Sequence, residues 1–215
     1  MTNPPSQPSS PYLAPATVSD RARRFFRWFL DPAAGLLMRL GVTPNALTVF
    51  GALMSLAVGV LGATGNLMLA GLLLLGSGLL DGLDGALARR IGITSKFGAF
   101  LDSTLDRYAE AFVLLGILIY AGDRGLVLEV RLVYITLVGS LLISYTRARA
   151  EGLGIDCKVG LLTRMERFLI IVAMLILQQI TIGLVILSIL THVTAVQRIV
   201  HVWRTMRRLE QVAKK

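Results

Sequence analysis

Cysteine and acidic residues are both scarce in this chain of 215 residues, and each shortage excludes something. With a single cysteine, Cys157, no intrachain disulfide framework exists, and that residue reads as a spectator in a loop. Asp and Glu number 13 against 22 Lys and Arg, a formal net charge of +9. In a soluble protein such an excess would point to nucleic acid; here the placement of the charges follows membrane topology, and nucleic acid is not an expected partner. No internal repeat is visible, which disfavours a transporter built from inverted repeats. The first residues lack the basic start, apolar core and cleavage site of a signal peptide. The length leaves no room for a large second domain.

What the chain has in abundance is apolar sequence: 54% of its residues are hydrophobic, with a mean hydropathy of +0.69. Apolar runs near the ~20 residues that cross a bilayer fall at 46–65, 67–88, 98–121, 131–149, 166–181 and 182–201. The expected fold is therefore an all-α integral membrane protein with six transmembrane helices. Four segments are expected: a Pro- and Ser-rich disordered tail at 1–16, an interfacial amphipathic helix at 17–40, the six-helix membrane domain at 41–205 and a basic tail at 206–215. Phe25, Phe26, Trp28 and Phe29 interleaved with arginines mark the interfacial helix. Thr43 or Asn45 is placed to cap the first span. If the connections alternate sides, one side receives nearly all the Lys and Arg, the other only Arg124 and Arg131, with Arg107 inside a helix. The positive-inside rule then predicts a multi-pass cell-membrane protein with both termini, and the acidic segment described next, on the cytoplasmic side.

Residues 81–106 set Asp81, Asp84, Asp102 and Asp106 within this apolar chain. Intramembrane acids mark function by default. The pairs are three and four residues apart, so on helices each pair shares a face. Two such faces turned toward each other form a four-carboxylate cage, which must be protonated, paired or neutralised by cations. An all-oxygen set without nearby His or Cys suits magnesium or manganese, two ions cancelling four charges. Gly85, Ala88 and Gly98 leave room for a phosphate, Arg89 can fork onto one, and Ser95 supplies a hydroxyl at a helix start. The structural alternative has Asp81 or Asp84 bonding Arg89 or Arg90, and Glu110 bonding Arg107 three residues earlier. A metal- or proton-coupled transporter would spread its acids through the membrane depth, whereas these cluster near one end.

Asp81, Asp84, Gly85, Ala88, Arg89, Gly98, Asp102 and Asp106 match every fixed position of DxxDGxxARx8GxxxDxxxD, and over about residues 40 to 205 the chain resembles the CDP-alcohol phosphotransferases. The resemblance implies a six-helix, homodimeric membrane enzyme that transfers a substituted phosphate from a CDP-linked donor to a hydroxyl and releases CMP. It implies two Mg2+ (or Mn2+) ions on Asp81, Asp84 and Asp102, with Asp106 as fourth metal ligand and general base. Gly85, Arg89, Ser95 and Gly98 would meet the donor, with Asn45 and Thr48 at the nucleotide's edge. The donor's tail, diacylglycerol or an archaeol-type lipid, is left open.

For the acceptor, Arg147, Arg149, Arg164 and Arg167 lie between the fourth and fifth spans, and Arg198 near the end of the sixth could join them. Positive-inside topology alone would also place basic residues here. With Glu151 and Glu166 these arginines resemble, as YxRARAE and RxER patterns, the branch making phosphatidylinositol phosphate or its archaeal counterpart from inositol 1-phosphate. Met165 stands where that branch has Pro, and Arg147 where it often has Lys. Glycerol 3-phosphate, another small phosphorylated polyol, is the competing acceptor.

Overall fold

The computed structural model describes residue 35 and residues 38–91 and 95–213, without the side chains of 79, 82–86, 88–91, 212 and 213. The expected tail at 1–16 and almost all of the expected interfacial helix at 17–40 lie outside the described residues. Six α-helices make up the described chain: α1 Pro44–Ala63, α2 Leu67–Ile91, α3 Lys96–Asp123, α4 Val127–Glu151, α5 Arg164–Ile176 and α6 Ile180–Ala213.

Local chemistry sets where they begin. Thr43, extended at φ −89°, ψ 150°, accepts the Ala46 N–H on its hydroxyl at 3.2 Å, and Pro44 occupies the first turn, where its missing N–H costs nothing. Ser95 caps α3 in the same way, accepting from Gly98 N–H at 2.8 Å. At α5 a capping box operates: the Glu166 carboxylate accepts the Thr163 N–H at 2.8 Å. Gly65, at φ +90°, turns the chain between α1 and α2. The turn between α5 and α6 instead places Gln178 at φ +56°, a conformation that a side chain disfavours.

The helices pack in the cyclic order α1, α2, α5, α6, α4, α3, closing back onto α1. Each therefore has two neighbours, and the bundle is a ring rather than a sheet-like row. α1 and α3 approach most closely at Gly59 and Gly116, where a Cβ on Gly116 would overlap the Gly59 backbone. Val58, Leu114, Ile117, Leu175, Leu184 and Leu187 fill the interior. Outside, Leu53, Val60, Leu72, Tyr134, Leu169, Ile189 and Val196 are exposed, an apolar exterior suited to lipid.

Among the described residues, three helices are long and apolar enough to cross a membrane: Pro44–Ala63, Val127–Gly152 and Ile180–Gln211. Of the others, α3 and α5 fall short of that description for physical reasons. α3 carries Lys96, Asp102, Asp106, Arg107 and Glu110, which divide its apolar sequence, and α2 begins with the apolar stretch Leu67–Gly78. α5 has 13 residues, about 20 Å at 1.5 Å each, and stops at the Gln178 turn where the apolar sequence runs on.

Candidate active site

α2 and α3 bring Asp81, Asp102 and Asp106 together, and one carboxylate oxygen from each lies within 4.8 Å of the others. The i,i+4 spacing puts both α3 aspartates on the face turned to α2. Asp106 is the deeper, its side chain 12% exposed against 35% for Asp81. Asp84 follows Asp81 on α2; its side chain, with those of Gly85 and Arg89, lies outside the described residues.

Into this cluster reaches Arg164, the first residue of α5. Its Nη2 lies 2.8 Å from Asp81 Oδ1 and 2.5 Å from Asp106 Oδ1. Three carboxylates at such range repel one another, and the guanidinium partly compensates them. Arg107 adds a second positive charge, its Nη1 3.6 Å from Asp106 Oδ2. The cluster is thus already a site for cations. Its ligands are all oxygen, converge from two rigid helices and include no His or Cys, a set that fits a hard divalent ion.

Glu110 does not pair with Arg107 three residues earlier. It receives Nε and Nη2 of Arg167 at 2.9 and 3.1 Å, a bidentate bond between α3 and α5. Arg167, expected at the acceptor, is buried and has these two donors committed, leaving the edge formed by Nη1 and the second Nη2 hydrogen to meet another group. Arg198 is buried likewise, with Nε on Val159 O at 3.0 Å and Nη1 on Ile143 O at 2.5 Å. Arg147 bonds Glu151 one turn on at 2.8 Å, and Arg149 is exposed on the last turn of α4. Arg198 feels the positive charge of both Arg147 and Arg167, and Arg107 that of both Arg164 and Arg167. A basic cluster therefore abuts the acidic one, with Arg164 at the seam.

Of the remaining expected residues, Asn45 and Gly98 meet where α1 and α3 begin: a Cβ on Gly98 would lie 3.1 Å from Asn45 Oδ1, and the same α-carbon sits over Ser95. Ser95 is the cap of α3, so its hydroxyl already has one partner. Thr48 donates to Pro44 O at 3.1 Å and lines a cavity of about 110 Å³ that opens below the aspartates. Asp81, Asp106, Glu110, Arg164 and Arg167 line it together with Leu74, Val113, Phe168 and Ile171. No sequence signal marks the Glu110 to Arg167 bond, because its partners are 57 residues apart.

A family model described as CDP-alcohol phosphatidyltransferase matches residues 41–203. An archaetidylinositol phosphate synthase of Pyrococcus horikoshii is 40% identical over 182 residues, covering 84% of this chain and 93% of that protein. A phosphatidylinositol phosphate synthase of Mycobacteroides abscessus is 38% identical over 157 residues, 71% of this chain and 70% of the other. Among solved structures, the Mycobacterium tuberculosis phosphatidylinositol phosphate synthase with CDP-DAG bound superposes with a TM-score of 0.75 at 34% identity, covering 81% of this chain and 93% of that one. The same enzyme in complex with manganese and citrate gives a TM-score of 0.76 at 33% identity, covering 81% and 88%.

Proposed function

The chain belongs to the CDP-alcohol phosphatidyltransferase family, and from that premise we propose that it transfers a phosphatidyl group from a CDP-linked lipid to inositol 1-phosphate, releasing CMP. The observation that carries the acceptor is the seam at Arg164: a guanidinium on the aspartate cluster, backed by further arginines, makes a place for an acceptor that is itself a phosphate. The relatives named as archaetidylinositol phosphate synthase and phosphatidylinositol phosphate synthase support the same acceptor.

In this reading Asp81, Asp84, Asp102 and Asp106 hold two Mg2+ or Mn2+ ions. Such ions, when bound, neutralise charge on the pyrophosphate and orient it for in-line attack. Asp106 receives the proton of the acceptor hydroxyl, whose oxygen bonds to the phosphatidyl phosphorus while the bond to the CMP oxygen breaks. Gly85, Arg89, Ser95 and Gly98 contact the donor, with Asn45 and Thr48 at the nucleotide's edge. Arg164, Arg147 and Arg149 reach the acceptor's phosphate, and Arg167 and Arg198 add charge and hold the others in place. The polypeptide crosses the bilayer six times with the aspartates near the cytoplasmic surface, and works as a homodimer.

The test is CMP release from CDP-diacylglycerol by the purified protein with magnesium, with inositol 1-phosphate, free inositol, glycerol 3-phosphate and serine supplied separately. Turnover with inositol 1-phosphate alone is expected. Turnover with glycerol 3-phosphate alone would reassign the arginines to that acceptor.

A further inference from the structure

Thr194, Gln197, Arg198 and His201 follow i, i+3, i+4, i+7 along α6 and so form one polar stripe. All four reach the main chain of the segment between α4 and α5. Leu162 N–H donates to Thr194 Oγ1 at 3.1 Å and Leu161 N–H to Gln197 Oε1 at 3.0 Å. Arg198 Nε donates to Val159 O at 3.0 Å, and His201 Nε2 lies 3.1 Å from Asp156 O. Gly160, at φ +131°, brings its α-carbon against the Thr194 methyl, where no side chain fits.

Contacts to main chain fix the path of a backbone whatever its side chains are. Thr194 is fully buried, and its hydroxyl also donates to Leu190 O at 2.8 Å, so both its donor and an acceptor lobe are committed and its orientation is set. Leu162 is followed by Thr163, the cap of α5, and then by Arg164 on the aspartates. Only two residues, at most about 7 Å of chain, separate the α6 contact from Arg164. We propose that Thr194 and Gln197 are positioning residues for the acceptor: without touching substrate, they set where α5 starts and thereby how Arg164 meets the phosphate. This rests on the acceptor reading above. A residue that merely stabilised the fold would affect donor and acceptor alike.

The experiment compares Thr194→Val, Thr194→Ser and Gln197→Leu with the wild type, measuring KM for inositol 1-phosphate and for CDP-diacylglycerol and hydrogen exchange over residues 159–168. Thr194→Val deletes the acceptor for a buried N–H and could compromise folding, so Gln197→Leu, half-buried, provides an independent reading. Expected are faster exchange over 159–168, an acceptor KM raised about tenfold, a donor KM within about twofold, and restoration by Thr194→Ser. Unchanged exchange, or equal rises in both KM values, would overturn the proposal. If the wild type is silent with inositol 1-phosphate but active with another acceptor, the acceptor reading fails, and the KM of that other acceptor together with exchange decides the positioning role.

Discussion

Gly116→Ala and Gly76→Ala add the same methyl group to two helix interiors, and the structure assigns them opposite signs. At Gly116 the new Cβ would overlap the Gly59 backbone, and backbone cannot rotate away as a side chain can. α3 must move off α1, an overpacking change of about 1 to 3 kcal/mol. For a chain of this size each kcal/mol shifts the melting temperature by about 2 to 4 °C, so a fall of roughly 2 to 12 °C is expected. Gly76, exposed on α2, has nothing within 4 Å of an added Cβ. There the gain in helix propensity, about 0.8 to 1 kcal/mol, raises the midpoint by a few degrees. Both variants would be melted in one detergent, followed by far-UV circular dichroism. Equal midpoints, or a Gly116→Ala protein as stable as Gly76→Ala, would refute the close approach of α1 and α3. Because Asp102 and Asp106 share α3 with Gly116, the destabilised variant is also expected to lose turnover.

Other substitutions follow from single features. Gln178→Gly relieves a left-handed backbone at the α5–α6 turn and should raise the melting midpoint by about 2 to 4 °C, on the order of 1 kcal/mol; a fall would mean the side chain stabilises the turn. Asp106→Asn should bind the CDP-linked donor and release no CMP, read by a binding assay beside a turnover assay; unchanged turnover would remove Asp106 from the chemistry. Chelation of divalent ions should stop CMP release and added magnesium restore it. Cys157 is fully buried, and burial pushes its thiol pKa up, with Arg198 pulling the other way, so less thiolate is present at a given pH than for a free thiol. Maleimide labelling of the native protein at pH 8 should therefore be much slower than after denaturation.

Local signals were legible in the sequence and distant pairings were not. Thr43, Ser95 and the four-residue spacing of Asp102 and Asp106 act within one or two helical turns, and periodicity exposes them directly. The apolar runs located all six helices, yet run length alone could not show that α5 ends at Ile176, just before the Gln178 turn, or that α6 continues to Ala213 through most of the expected basic tail. Arg164 was recognisable as one basic residue among several. That it, rather than Arg167 or Arg198, bridges Asp81 and Asp106 depends on where a loop pinned to α6 releases α5. Arg167 and Arg198 look the same in sequence, and burial is what separates them.

The ring order has a consequence for synthesis. Asp81 precedes Arg164 by 83 residues, so the acidic half of the site is made and threaded well before the basic half exists. Until α5 arrives, the aspartates of α2 and α3 have Arg107 beside Asp106, and solvent or soluble cations must compensate the rest of their charge. α6, which packs on both α5 and α4, comes last and closes the circle. A nascent chain halted after α3 would hold its carboxylates without Arg164 or Arg167, and is expected to be a better substrate for membrane quality-control proteolysis than the finished protein.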